Sequence, residues 1–311
     1  MLLSRAIQGF ALAYRLDHAE ATTDLYRKAL VHLARYLQDP QIERITTADL
    51  RRYIHYLRTE YIPPRVKAST RQGRPLSDWA VNNRIKAIRA FFAWAHREGL
   101  IRRNPARALK QISIQRAQPV PFTEDEIRRL LHAAAYTQRT DHRVHRPTWK
   151  RNTALIILLL DTGIRVGELC RLKIADVRLE AGEIHIRPFG SGRKSRARTI
   201  PLGKTTRQAL WRYLSSIEDP DPADSLFGLT PKAVRNLLHR LGKAAGVPHT
   251  HPHRFRHTFA IEYLRNGGDI FTLQRILGHA TLDMVRWYLH IVQADVETAH
   301  RRASPADHWK L

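Results

Sequence analysis

Three stretches in the first third of the chain, ATTDLYRKALVHLARYLQ, TTADLRRYIHYLRTEY and LSDWAVNNRIKAIRAFFAWAHREG, place apolar residues three and four positions apart, with Thr or Ser near each start. That spacing lines the apolar side chains along one stripe of a helix, and the hydroxyls can cap its first turn. The pattern predicts a small helical bundle. Between the second and third helices lies IPPRVKASTRQGRP, basic and Pro-rich, with no apolar period to bury. It reads equally as a solvated loop or as a loop lying along phosphates. After NPARAL, the segment KQISIQRAQPVP follows neither helical nor strand period and carries two prolines. Then FTEDEIRRLLHAA restores helical spacing, with Thr123 placed to cap and Glu126 to return the bond three residues on. The expected organisation is a helical domain over residues 1–112, a linker over 113–120 and a second domain over 121–311.

The second domain continues through a His/Arg-rich insertion, TQRTDHRVHRPTWKRN, into the strongly apolar TALIILLLDTG, which predicts a buried helix. In EIHIRPFGSGRKSRARTIPL the period changes to alternation on both sides of a Gly/Ser/Arg turn, the pattern of an antiparallel hairpin with a basic tip. Helical spacing returns afterwards. The expected fold class is therefore mainly α with a small antiparallel β-sheet.

Charge narrows the function. The 311 residues hold 53 Lys+Arg against 28 Asp+Glu, a net +25. Residues 1–115 carry +12 of this and residues 116–311 carry +13, so both domains are set to meet a polyanion, with nucleic acid the leading candidate. The longest strongly apolar run, Ala154 to Leu160, is far short of the roughly 20 residues of a membrane span, and MLLSRAIQGFALAYRLDHAE lacks the apolar stretch of a signal peptide. A cytoplasmic, DNA-associated protein without a membrane partner is expected. Cys170 is the only cysteine, which excludes an internal disulfide and a Cys-based zinc finger.

Three stretches gather chemistry. In DTGIRVGELCRL, Gly163 should end one helix and Arg165 should sit at the start of the next, where a small capping residue is usual. In HTHPHRFRHTFAIEYLRNGG, Pro252 suits a first helical turn and Gly267-Gly268 a stop. His253, Arg256 and His257 then share a face, while Phe255, Phe259 and Tyr263 form a stripe toward the core. His249, His251, His253 and His257 invite a metal reading, but Arg254 and Arg256 stand where a helical metal site places a carboxylate, so no metal is expected. In LGHATLDMVRWYLHI, His279 and Tyr288 would lie on opposite faces of a single helix. With Gly278 as a stop and Thr281 as a new cap, His279 falls in a tight turn and Tyr288 two turns into the next helix.

Taken together, TGIRVGEL, HPHRFRHTFA and LGHATLDMVRWYLH resemble, in order and spacing, the motifs of the tyrosine recombinase (phage integrase) family, especially its Xer-like members, and NNRIKAIRAFFAWAHREGLIRRNPA resembles that family's core-DNA-binding domain. The resemblance implies an N-terminal core-DNA-binding domain and a C-terminal catalytic domain that form a clamp around DNA. It implies a site-specific recombinase that cleaves and rejoins strands through a 3′-phosphotyrosyl intermediate and needs no cofactor. Tyr288 would be the nucleophile, Arg165 and Arg256 the phosphate clamp, and His253 a base or donor. His279 would be a further donor, and Glu168 would orient the site. Fixed guanidinium groups can stabilise the charge that develops on a phosphodiester under in-line attack.

The hairpin departs from the family pattern. Xer-like members usually show Gly-Lys-Gly before the turn, the lysine acting as general acid; here the stretch reads Gly190-Ser191-Gly192-Arg193-Lys194. One register puts serine at the lysine position and another puts Arg193 there. Because arginine is a poor proton donor at neutral pH, the role falls to Lys194. DNA contacts are expected from Arg71, Arg74, Asn83, Arg84, Lys86, Arg193 and Arg196. The resemblance further implies double-stranded DNA with paired half-sites as partner and a homo-oligomer on it, a dimer per site and a tetramer in the synapse, with residues 292–311 exchanged between protomers. Two other functions fit part of the pattern. One is type IB topoisomerase-like relaxation, which uses nearly the same chemistry; the other is a catalytically silent DNA-binding protein, which has no need of the complete Arg, His, Arg, His, Tyr set.

Overall fold

The computed structural model describes residues 1–63, 74–114, 118–139, 142–145, 148–189, 196–278, 288 and 304. The chain divides into two compact units, Met1–Arg116 and Ala117–Leu311.

The first unit is helical: α1 (Leu3–Asp17), α2 (Glu20–Tyr36), α3 (Thr47–Thr59) and α4 (Asp78–Arg97). Each turns one stripe inward, so that Phe10, Leu30, Leu33, Tyr53, Phe91 and Phe92 are fully buried together. The hydroxyl positions near the starts of α3 and α4 act as caps. Thr46 and Asp49 exchange backbone-to-side-chain bonds ahead of α3, and Ser77 Oγ accepts from Ala80 N ahead of α4. Helix α2 starts from Ala19 without a side-chain cap. The chain leaves α4 under a local tie: buried Asn82 on that helix donates to Ile112 O (2.9 Å) and accepts from Ile112 N (2.8 Å).

The second unit opens with α5 (Glu124–Ala135), where Thr123 and Glu126 form the expected capping box. The His/Arg-rich insertion holds an antiparallel hairpin, β1 (Tyr136–Arg139) with β2 (His142–His145), which the sequence pattern did not reveal because four residues a side are too few for alternation to register. Next come α6 (Trp149–Thr162), the apolar run, and the one-turn helix α7 (Val166–Leu169). A three-stranded antiparallel sheet follows, β3 (Val177–Arg178), β4 (Glu183–Ile186) and β5 (Arg198–Pro201), in the order β3-β4-β5. Ile184 pairs with Ile200, and both are buried. Helices α8 (Lys204–Leu214), α9 (Pro231–Ala244), α10 (Pro252–Arg265) and α11 (Ile270–Leu277) complete the described elements. Helix α6 lies at the centre, packed against α5, α8 and α10. Its Leu155, Leu158 and Leu159 are fully buried, as the uninterrupted apolar run demands. No helix among the described residues is long and apolar enough to cross a membrane.

Candidate active site

Two glycines end helices and position the arginines. Gly163 caps α6 in the left-handed region (φ 56°), and a Cβ there would come within 2.6 Å of Phe259 Cδ1. Gly278 caps α11 in the same region (φ 63°), and a Cβ there would meet the Arg198 guanidinium at 2.9 Å. The last carbonyls of a helix lack partners within it. Here arginines supply them. Arg256 Nη1 donates to Gly163 O (2.7 Å) and its Nη2 to Leu277 O (2.8 Å). Arg165 Nη1 also donates to Leu277 O (3.3 Å), and its Nη2 to Gly278 O (3.5 Å). Arg198 Nε donates to Ile276 O (2.6 Å). The chain thus brings Arg165, Arg198 and Arg256 from three separate segments onto the C-terminal turn of α11, whose negative dipole end favours cations.

Glu168 counters this charge from within. Its carboxylate, 1% exposed, accepts from both Arg198 η-nitrogens (3.0 and 2.8 Å), from the Arg165 backbone N (3.0 Å) and from Arg165 Nη1 (3.3 Å). Burial pushes the carboxyl pKa up, but hydrogen bonds and charge from Arg198, then from Arg165, outweigh it and hold the group at about 2. Arg256 is buried, and desolvation followed by the nearby Arg165 brings its pKa down to about 9, so it stays cationic at neutral pH.

Helix α10 carries the rest. His251 caps it, its Nδ1 accepting from Arg254 N (3.1 Å). Arg254 turns away from the site: it donates to Val120 O, Pro121 O and Pro248 O, pairs with Glu126 and lies over the Phe122 ring. His253 stands exposed in the first turn, its pKa lowered by partial desolvation and then by Arg256, Arg235 and Arg165. One turn on, His257 Nδ1 lies 2.7 Å from Tyr288 Oη. Tyr288, 1% exposed, is packed among Ala260, Ile261, Leu264, Leu273 and Leu277, and burial raises its pKa against the opposing pull of Arg256. His257 is lowered to about 4 by burial and then by His253, His251 and Arg256. Two of the four histidines weighed for a metal, His251 and His257, are therefore engaged in a helix cap and with Tyr288.

The structure brings Arg165, Glu168, Arg256 and Tyr288 to one place, with His253 at the mouth. Lys194, Arg193, His279 and Arg71 lie outside the described residues. In the first unit Arg74 and Lys86 are exposed and Asn83 is half-buried. Arg84 turns partly inward, donating to Tyr53 Oη (3.3 Å) and lying over the Tyr61 ring. Arg196 is exposed and, with Arg198, Thr272, Arg275 and Gly278, lines a cleft of about 760 Å³ beside the arginine cluster. Sequence reasoning passed over Arg198, though its signal was present: it falls in phase with inward-facing Ile200 and Leu202, an arginine on the buried side of a strand. It also missed the exposed face of α9, where Arg235, His239 and Lys243 recur every four residues beside Asn236 and Arg240. That face borders a second cleft of about 760 Å³ reaching His249 and His251.

Comparison with known proteins identifies the family. The sequence model of the phage integrase family matches residues 121–294, and that of the phage integrase SAM-like domain matches residues 3–112. Tyrosine recombinase XerC of Mycobacterium sp. (strain KMS) is 34% identical over 71% of this chain and 75% of its own length. Tyrosine recombinase XerD of Oceanobacillus iheyensis is 27% identical over 98% of this chain and 99% of its own. Among solved structures, the Tn1549 transposon integrase in complex with transposon right end DNA superposes with a TM-score of 0.74 at 20% identity, covering 96% of this chain and 99% of that one. A lambda integrase dimer bound to a core site gives 0.69 at 21% identity, covering 91% and 97%. The chain belongs to the phage integrase family and is Xer-like within it, a tyrosine recombinase of the class that cleaves and rejoins DNA in site-specific recombination.

Proposed function

We propose that this protein cleaves each DNA strand with Tyr288, forming a 3′-phosphotyrosyl bond that conserves the energy for rejoining to another strand. Arg165 and Arg256 bind the scissile phosphate through their guanidinium groups and stabilise its developing charge. Glu168 fixes Arg165, His253 and His279 donate to the phosphate oxygens, and Lys194 protonates the departing 5′-oxygen. The observation that carries the reading is the convergence of Arg165 and Arg256, 91 positions apart in the chain, on the same Leu277 carbonyl, with Tyr288 Oη bonded to the residue that follows Arg256.

The DNA partner is a duplex with paired half-sites, bound by a dimer per site and a tetramer in the synapse, with residues 292–311 passing between protomers. The net charge of +25 and the exposed basic face of α9 support a DNA-associated, cytoplasmic role. In the first unit Arg71, Arg74, Asn83, Lys86 and the outer edge of Arg84 meet the backbone; in the second, Arg193 and Arg196 do so.

The test is a suicide substrate nicked beside the cleavage point. The unaltered protein should become covalently trapped, whereas Tyr288→Phe should bind with nearly unchanged affinity and form no adduct. Adduct in the phenylalanine variant removes Tyr288 from the role. Joining of strands from two differently labelled sites distinguishes recombination from relaxation.

A further inference from the structure

Tyr288 must lose a proton to attack, and a group able to take it lies against its hydroxyl. The ring lies among the aliphatic side chains of Ala260, Ile261, Leu264, Leu273 and Leu277, none of which accepts a proton. A phenol so buried has little access to bulk water. His257 is a polar neighbour within this setting. It projects from α10 one turn after His253, and its Nδ1 lies at 2.7 Å from Tyr288 Oη, within the range of a direct proton transfer.

We propose that His257 is the base that takes the Tyr288 proton during strand cleavage and returns it during religation. The inference rests on Tyr288 being the nucleophile. In cleavage, the Oη–H bond breaks as its proton passes to Nδ1, the Oη–P bond forms, the P–O5′ bond breaks and the leaving oxygen takes a proton from the general acid. Religation runs the same steps backward: the 5′-hydroxyl attacks, the tyrosyl oxygen leaves and His257 hands the proton back. For Nδ1 to accept, the imidazole must be neutral with its hydrogen on Nε2. Burial together with His253, His251 and Arg256 favours that neutral form at neutral pH. When the phosphodiester anion settles on Arg165 and Arg256, its charge beside the ring raises the proton affinity of His257 at the step that needs it. His253, exposed in the first turn, is then left to the phosphate as a hydrogen-bond donor.

The experiment is single-turnover adduct formation on the nicked suicide substrate by full-length protein, comparing His257→Asn and His257→Ala with wild type. Asparagine keeps an acceptor near the position of Nδ1 but cannot carry the proton. Both variants should cleave about 10²–10⁴-fold more slowly, the loss typical of removing a general base. Half-site binding should persist in both. Added imidazole should restore a substantial part of the His257→Ala rate and leave wild type unchanged. Replacing Tyr288 with 3-fluorotyrosine, a more acidic phenol, should shrink the penalty of His257→Asn. A 5′-bridging sulfur on the leaving group should not, because that substitution relieves the acid and not the base.

A His257→Asn rate within threefold of wild type overturns the proposal, since it reduces His257 to an orienting contact. So does rescue of the asparagine variant by the bridging sulfur. If His257→Ala fails to fold, the asparagine variant and the fluorotyrosine comparison decide. Persistent adduct in Tyr288→Phe sinks the nucleophile assignment itself; loss of adduct there, with His257→Asn at full rate, sinks the base alone.

Discussion

Arg198→Met tests whether the Glu168 cluster is built as described. Methionine keeps an unbranched apolar stem in the position, so the change removes the guanidinium with little loss of packing. What disappears is the bidentate pair to Glu168, the bond to Ile276 O and one to Arg196 O, from a side chain only 8% exposed. Glu168 is left as a buried carboxylate that has lost its bidentate partner and keeps its bonds to Arg165. Breaking a buried pair from one side costs about 3–5 kcal/mol. The lowered carboxyl pKa gives an independent figure. A carboxyl lowered from 4.5 to about 2 corresponds to roughly 3 kcal/mol of stability at neutral pH, at 1.36 kcal/mol per unit. Because the folded value lies below the unfolded one, this stability is present above about pH 4.5 and drains away as pH falls toward 2. About 2 kcal/mol of it should be gone by pH 3.

The assay is denaturant unfolding of the wild type and Arg198→Met from pH 7 to pH 3. The variant should be about 3–5 kcal/mol less stable at pH 7. The gap should narrow by about 2 kcal/mol at pH 3, as the wild type loses what the variant no longer has. Adding Glu168→Gln to the variant should recover part of the loss, since the buried carboxylate that lost its bidentate partner is then gone. A cost below about 1 kcal/mol at pH 7, or a gap constant across the range, refutes the reasoning.

Gly163→Ala should destabilise the second unit by about 1–3 kcal/mol, because the new methyl meets Phe259 at a backbone conformation that disfavours it. Cleavage should fall further than folding, since Gly163 O holds Arg256, and wild-type cleavage in a folded variant would separate that carbonyl from catalysis. Lys194→Ala should slow cleavage by about 10²–10⁴-fold and be rescued by a 5′-bridging sulfur. Arg193→Ala should instead weaken binding at higher salt, and selective sulfur rescue of Arg193→Ala would move the acid there. Deletion from Asp295 onward should preserve binding of one protomer to a half-site and weaken cooperative binding and synapsis; unchanged cooperativity would place that segment within its own protomer.

Much of the framework was legible because it depends on local spacing. The i, i+3, i+4 stripes of α2, α3 and α4, the Thr123–Glu126 box and the glycine ends of α6 and α11 are set by a few neighbouring residues. The fold class, mainly α with a small antiparallel sheet, follows from the same periods. The site's internal order was less legible, because its bonds join residues far apart in sequence. Spacing offered Glu168 to Arg165 but said nothing of Arg198, 30 positions on, as its stronger partner. His257 was visible as one member of a polar face on α10 and as one of four histidines weighed for a metal, and no local pattern pairs it with a tyrosine 31 residues away. Arg84 shows the opposite limit. A helical arginine in a basic stretch reads as a phosphate contact, yet part of its guanidinium serves Tyr53 and Tyr61 within its own unit.

The arginine cluster poses an electrostatic problem that its anchoring resolves. Three guanidinium groups held close together repel one another, and Arg256 shows this in an acidity shifted first by burial and then by Arg165. A flexible cluster would relieve the repulsion by spreading, and would then have to be gathered again around the phosphate. Here each cation is fixed by an oxygen that was already in need of a donor: Ile276 O takes Arg198, Leu277 O takes Arg165 and Arg256, and Gly278 O takes Arg165. Glu168 adds a full negative charge within the cluster. The arrangement therefore stores cationic charge at fixed positions before DNA arrives, which is the condition under which charge stabilises a transition state without reorganisation. It also couples parts of the chain that local sequence keeps separate. Arg198 begins the strand that follows the basic hairpin tip, and His279 follows Gly278 directly. A displacement of the α11 C-terminus would shift carbonyls that bind all three arginines, so the three guanidinium groups are positioned together.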